Sequence, residues 1–195
     1  MNQKVVFIWQ RWSWKSKIWE KVAERLNKSF VDWDDALNEQ MQGESISDYV
    51  KRINWYHLRK TQEHPVFKSL MEWDKDIISL GGGTTTFWEV ENLNTSETFS
   101  SEVNAEILRS SWAIVIYLEA TPEVLAERVE NDLKNIENRP SLSEDEETVL
   151  EEATRIYEER DPKYKEQATH IINTVDKTID EVVDEIVGLL EKEIA

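Results

Sequence analysis

The stretch Val5-Val6-Phe7-Ile8-Trp9-Gln10-Arg11-Trp12-Ser13-Trp14-Lys15-Ser16 decides how the rest of the chain is read. Its four leading apolar residues have the character of a buried strand. A short turn follows, then Lys15-Ser16, then apolar residues at helical spacing: Ile18, Val22, Ala23 and Leu26. Strand, turn, Lys-Ser and helix is the layout of the phosphate-binding loop G-x-x-x-x-G-K-[ST]. Such a loop aims successive backbone N–H groups into one cavity, and a helix N-terminus adds partial positive charge. Here tryptophan stands at both glycine positions, 9 and 14, and at position 12 as well. A bulky side chain cannot cheaply follow a backbone through positive φ, nor leave room for phosphate against that backbone. The sequence therefore predicts the frame of a nucleotide site with three indoles filling its cavity and straining its bend. Taken literally, this loop binds ATP poorly.

Composition bounds the function. The chain has 195 residues, enough for one domain with a full core. Its net charge of -17 argues against nucleic acid or an anionic membrane as partner, and a solvated acidic surface is the plain account of it. Cysteine is absent, which excludes disulfides and thiolate catalysis. No apolar run approaches the roughly 20 residues that span a bilayer, and the first strand begins with no leader ahead of it. A cytoplasmic protein is the expectation. Glycine and tryptophan are out of proportion: 5 and 9, where average usage of about 7% predicts roughly 14 glycines.

Outward from the loop, strands alternate with helices. Residues 4–8 are read as the first strand, 15–27 as the first helix and 29–32 as a second short strand. Asp32-Trp33-Asp34-Asp35 follows. Its carboxylates at alternate positions either reach a ligand from beyond the strand end, or Asp34 or Asp35 caps a helix at Ala36-Leu37. Ser45 caps a helix running to about residue 60 that carries Arg59. Residues 76–80 form a third strand, with Gly81-Gly82-Gly83 directly beyond it. Glycines there allow close approach to the backbone, at the sheet edge where open parallel sheets bind ligands. Residues 98–110 are helical. The run 113–118 is a buried central strand, and Thr121-Pro122 opens a helix reaching about 133. The polar segment 134–146, with Asn138-Arg139-Pro140, reads as a loop or lid. A helix over 143–159 precedes Arg160-Asp161-Pro162-Lys163-Tyr164, then a last strand at 170–174 and a closing helix striped by Ile179, Val182, Val183, Ile186 and Leu190. The pattern predicts a three-layer α/β domain with a mainly parallel sheet.

Taken together, the Lys15-Ser16 loop, Asp32-x-Asp34, Arg59, Gly81-Gly82-Gly83, Asn138-Arg139-Pro140 and Arg160-x-Pro162-x-Tyr164 resemble shikimate kinase over nearly the whole chain. The resemblance implies a five-stranded parallel sheet of the P-loop kinase type flanked by helices. It implies one kinase domain over 1–195, with substrate-binding helices at about 35–65 and a lid at about 131–146. The activity implied is transfer of the γ-phosphoryl group of ATP to the 3-hydroxyl of shikimate, with Mg²⁺, by a monomer.

The implied roles follow residue by residue. Lys15 holds the β- and γ-phosphates, within an ATP-binding set of Trp12, Ser13, Trp14, Lys15, Ser16, Lys17 and Arg139. Ser16 and Asp32 serve the metal. Asp34 binds the substrate hydroxyls and accepts a proton. Arg59 and Arg160 clamp the carboxylate, the backbone of Gly81, Gly82 and Gly83 lines the substrate pocket, and Arg139 reaches the transferring phosphate from the lid. One departure lies in the substrate helix. The family pattern F-R-x-x-E appears as Leu58-Arg59-Lys60-Thr61-Gln62, so Gln62 brings no charge to orient Arg59.

The tryptophans are the larger departure. Trp9, Trp12 and Trp14 stand at loop glycines, Trp19 at a small-residue site on the first helix, and Trp112 just before a strand. Trp33, Trp73 and Trp88 are expected in turns or loop edges, and Trp55 as a true aromatic of the substrate helix. Some bacterial lineages read UGA as glycine, and another code reads it as tryptophan. A gene of the first kind read with the second code would show this pattern. Two other readings stand beside the shikimate kinase one: a catalytically dead kinase fold that binds without turnover, and a related kinase such as gluconate kinase.

Overall fold

In the computed structural model the described residues are 3–10, 13–72, 76–86, 100–131 and 147–193. One sheet of five parallel strands organises them, in the order β2-β3-β1-β4-β5. The strands are β1 (Val5–Trp9), β2 (Phe30–Asp32), β3 (Ile77–Ser79), β4 (Ile114–Glu119) and β5 (His170–Asn173). β1 lies at the centre, in register Val5↔Ile77 with β3 and Val5↔Ile114 with β4. All five of its residues are buried. That burial requires both sheet faces to be covered, and alternation along the strand assigns side chains to each.

Val6 and Ile8 point into a core with Leu37, Leu58, Phe67, Ile78, Val115 and Tyr117. Val5, Phe7 and Trp9 point the other way, against α1 (Lys15–Leu26) and the closing helix α9 (Ile179–Glu193). The apolar stripe of α9 is buried there as its spacing predicts, through Val182, Val183, Ile186 and Leu190. Exposed ion pairs, Lys21 to Asp180 and Arg25 to Asp184, edge this contact.

The sequence reading needs three corrections. First, the helix expected from Ser45 to about 60 is broken. Ser45 does cap α3 (Ile46–Arg52), accepting from the Asp48 N–H at 3.1 Å. The chain then turns at Ile53-Asn54, and the Asn54 side chain accepts from the His57 N–H at 2.7 Å, starting α4 (Trp55–Leu58). An Asx cap of this kind gives the backbone an alternative to continuing the helix. A π-helical turn, Arg59–Glu63, follows and leads into α5 (His64–Glu72).

Second, neither Asp34 nor Asp35 caps α2 (Trp33–Gln40). The cap is Asp32, whose Oδ1 accepts from the Asp34 N–H at 2.7 Å. Trp33, expected in a turn, is the first residue of that helix and is buried in the core.

Third, the helix expected to end at 159 runs on as α8 (Val149–Gln167), through Pro162. Proline removes a backbone donor and crowds the carbonyl four residues back. Here the side chains of Arg160, Lys163, Tyr164 and Gln167 are all bonded to the turn beyond β3, which holds the helix together across the break. The other elements match the sequence reading to within a few residues: α6 (Ser100–Ser110), and α7 (Pro122–Glu130), which follows Thr121. Thr121 accepts no side-chain capping bond, and its hydroxyl donates to Glu123 instead.

Candidate functional site

The C-terminal ends of β1, β2 and β3 lie side by side, and the predicted site residues leave the sheet there. After β3 the chain passes through Gly81, Gly82 and Gly83 into a tight turn described as far as Thr86. The turn is bonded inside itself, Thr84 N–H to Gly81 carbonyl at 3.0 Å and Thr86 Oγ1 to Gly82 carbonyl at 3.1 Å. Side chains from elsewhere bind most of its carbonyls. Arg160 Nη1 donates to Gly82 at 3.0 Å, and the Tyr164 hydroxyl donates to the same oxygen. Asn104 Nδ2 reaches Thr84 at 3.0 Å, Gln167 Nε2 reaches Thr85 at 3.3 Å, and Lys163 Nζ reaches Thr86 at 3.2 Å. Burial pulls the Lys163 pKa down from its ordinary value. A Cβ on Gly82 would stand 3.3 Å from Arg160 Nη1 and 3.5 Å from the Trp9 carbonyl, so this turn and the end of β1 are in close contact. A Cβ on Gly81 would stand 2.7 Å from the Trp33 indole.

Beyond β2, Asp32 also accepts from Ser79 Oγ at 3.3 Å through Oδ2, which ties it to β3. Asp34 lies half-buried in the first turn of α2. Beyond β1, Gln10 is buried and its Nε2 donates to the Tyr117 hydroxyl at 3.3 Å. That hydroxyl donates to Asp161 at 3.0 Å, and Asp161 pairs with Lys165 at 2.9 Å. Burial raises the Tyr117 pKa, so the phenol stays protonated and can serve this relay. The Gln10, Tyr117 and Asp161 connection was missed in the sequence, because its members lie more than 40 positions apart and share no motif.

The phosphate loop keeps its frame. Trp14 is the N-cap of α1 and offers no side-chain cap, and no acidic residue occupies the first turn. Among the described residues nothing caps the positive end of α1, which can therefore receive an anion. The Ser13 hydroxyl and Gln10 Oε1 are buried without a partner among the described residues, which marks polar capacity at this spot.

The three indoles were expected to fill the cavity, and for Trp9 that is incorrect. It is 3% exposed and turns into the core, its ring 4.7 Å from that of Trp19. As the last strand residue, it takes its direction from the pleat rather than from the loop. Strain is found at Trp14, with φ 42 and ψ 23 in the left-handed region. Its ring is stacked on the Arg128 guanidinium at 3.8 Å, and Arg128 donates to the Thr174 carbonyl at 2.8 Å. Burial lowers the Arg128 pKa to about 10, leaving it charged at neutral pH.

Of the other predicted residues, Lys17 is exposed on α1. Lys15 and Ser16 open α1, and Arg59 opens the π-helical turn, a feature frequent at functional sites. Trp12, Arg139 and the lid proper, 132–146, lie outside the described residues. Gln62, in place of the family Glu, donates to Thr61 at 3.3 Å, while Glu63 beside it is buried.

Sequence and fold comparisons agree with this geometry. The family model described as "Shikimate kinase" matches residues 13–191. The chain belongs to the shikimate kinase family. A shikimate kinase of Syntrophus aciditrophicus is 32% identical over 180 residues, covering 89% of this chain and 83% of that protein. A shikimate kinase structure from Acinetobacter baumannii, in complex with shikimate, superposes with TM-score 0.78 at 23% identity, covering 98% of this chain and 95% of that one. One from Aquifex aeolicus gives TM-score 0.72 at 25% identity, with 98% of each chain covered. The P-loop kinase fold and an ATP-dependent kinase family follow. Neither the gluconate kinase nor the dead-kinase reading is favoured.

Proposed function

We propose that this protein transfers the γ-phosphoryl group of ATP to the 3-hydroxyl of shikimate. The observation that carries this is the wiring of Gly82 to Arg160 and Tyr164, next to Asp32-x-Asp34 at the neighbouring strand end. It makes a rigid, glycine-lined wall with a buried guanidinium, suited to a small polyhydroxylated carboxylate.

Arg160 and Arg59 clamp the substrate carboxylate, for which a planar guanidinium allows paired hydrogen bonds. Gly81, Gly82 and Gly83 line the ring. Asp34 hydrogen-bonds the reacting hydroxyl and accepts its proton as the oxygen attacks the γ-phosphorus. Lys15 holds the β- and γ-phosphates at the open end of α1, and Arg139 meets the charge that develops on the transferring group. ADP leaves with the electron pair of the broken P–O bond. Trp12, Ser13, Trp14 and Lys17 complete the loop around the nucleotide.

Ser16 and Asp32 would hold Mg²⁺, which neutralises phosphate charge. Asp32 stands on a strand end with Oδ1 engaged by the Asp34 N–H and Oδ2 by Ser79 Oγ, which suits support of the ion through water rather than direct ligation. Trp14 stands at the second glycine position of the loop with φ 42, where a bulky side chain crowds the space a phosphate needs.

We assign residues 1–195 to one kinase domain, with substrate-binding helices at about 35–65 and a lid at about 131–146 that excludes water on closing. A cytoplasmic location suits a chain without cysteine, and we take the protein to act as a monomer. Among the described residues no helix is long and apolar enough to cross a membrane.

The test is ADP release from ATP with Mg²⁺ by the protein isolated from its own cell, with shikimate or gluconate as acceptor. Turnover with shikimate alone, abolished by EDTA and restored by Mg²⁺, is expected. Preference for gluconate refutes the proposal.

A further inference from the structure

We propose that the cell making this protein inserts glycine at positions 9, 12, 14, 19 and 112, so that the phosphate loop reads Gly-Gln-Arg-Gly-Ser-Gly-Lys-Ser from position 9. The proposal uses the kinase reading above only for what the loop binds. Its structural support comes from three independent anomalies.

The first is conformational. Trp14 has φ 42, where a large side chain meets the backbone and glycine does not. The other non-glycine residues with positive φ are Asn27, Gln42 and Asp176, two of them of the types that adopt this region most readily. The second is a polar group without a partner. Trp19 is 0% exposed, lies 4.7 Å from the rings of both Phe7 and Trp9, and its Nε1 has no acceptor among the described residues. Buried tryptophans usually find one. Glycine at 19 removes the orphaned donor and lets α1 approach β1. The third is exposure. Trp112 is 92% exposed ahead of β4, while the other exposed large hydrophobics range from 36% to 45%. At that exposure it has no packing among the described residues that would require an indole.

Glycine removes the anomaly at 14, 19 and 112; at 9 and 14 it completes the phosphate-loop pattern, and position 12 is assigned on the sequence alone. Composition agrees, with 5 glycines against 9 tryptophans. One cause accounts for all of it: a single codon, UGA, read as glycine in the source cell and rendered as tryptophan here. Scattered mutation would not collect tryptophan at both glycines of one loop and at two unrelated sites of strain and exposure. Glycine at 14 also frees the face of Arg128 on which the indole now lies.

Two measurements test this. The first is the codon at each of the five positions in the source DNA, with peptide mass of the protein isolated from its own cell. UGA codons and glycine masses are expected, and UGG at positions 14 and 19 overturns the proposal. The second compares the chain as written with the W9G/W12G/W14G/W19G/W112G chain, by calorimetry with Mg-ATP. The glycine chain should bind ATP about 100-fold more tightly, the scale of a few recovered backbone–phosphate hydrogen bonds. Equal affinity overturns the proposal. Shikimate phosphorylation is read separately: a glycine chain that binds ATP but leaves shikimate untouched refutes the kinase reading and leaves this one standing.

Discussion

Two turns leave adjacent strands at the same edge of the sheet, and their residues are treated in opposite ways. The turn after β3 has three glycines, and the carbonyls of Gly82, Thr84, Thr85 and Thr86 all receive side-chain donors. Most of those donors come from α8, so the substrate wall is held by a helix 19 residues long. The loop after β1 has tryptophan at its bend. It holds buried polar atoms on Gln10 and Ser13 without partners among the described residues, and its capping residue is steadied by one stack on Arg128. A substrate wall can be finished by the protein alone. A phosphate loop is finished by backbone N–H groups facing a ligand, so it depends on main-chain conformation and hence on glycine.

The contrast can be broken most severely at Arg160. Truncating it in the R160A variant should lower kcat/KM for shikimate by about 100-fold or more, as removing one partner of a buried charged pair costs roughly 2–5 kcal/mol. Lysine at this position should not restore it, because a point charge cannot make paired bonds. An unchanged KM for shikimate would remove Arg160 from the site.

Gly81→Ala comes next. Its Cβ would meet the Trp33 indole at 2.7 Å, and overpacking of this kind costs about 1–3 kcal/mol, read as a lower denaturation midpoint. Adding Trp33→Leu should recover part of the loss. No recovery would mean that the strain lies in the glycine turn itself.

Tyr117→Phe should cost about 1 kcal/mol in the same measurement by breaking the relay from Gln10 to Asp161. Trp14→Gly sharpens the comparison from the other side. Relief of the left-handed conformation, about 1–2 kcal/mol, is set against a lost cation–π stack of about 0.5–2 kcal/mol. Melting should therefore barely move while ATP affinity rises. Lys21→Ala should leave the melting curve unchanged, since the pair it makes with Asp180 is open to solvent.

Much of the fold was legible because its signals are local. The apolar runs of β1 and β4, the Ser45 cap and the stripe of α9 each lie within one segment. The site was less so. Pro162 pointed to a helix end, and the reading stopped α8 at 159. The bonds that carry the helix past it come from residues nearly 80 positions away. Asp34 and Asp35 are candidate caps by sequence, whereas Asp32 does the capping, because β2 ends at Asp32, one residue before α2 begins. Trp9 was placed in the phosphate cavity, and the pleat of β1 directs it to the core. The helix after Ser45 read as one element because Asn54 is an ordinary surface residue until its side chain caps a new turn.

By itself the sequence determined the class of fold, the order of its strands and helices, and the identity of the loop that opens α1. Periodicity, capping and glycine placement act over a few residues and leave their trace in the chain. The tertiary structure alone decided which side chains close the substrate wall, which face of β1 carries Trp9, and where the strain at Trp14 falls. Those outcomes depend on donors and packing partners that only the sheet's parallel crossovers bring together.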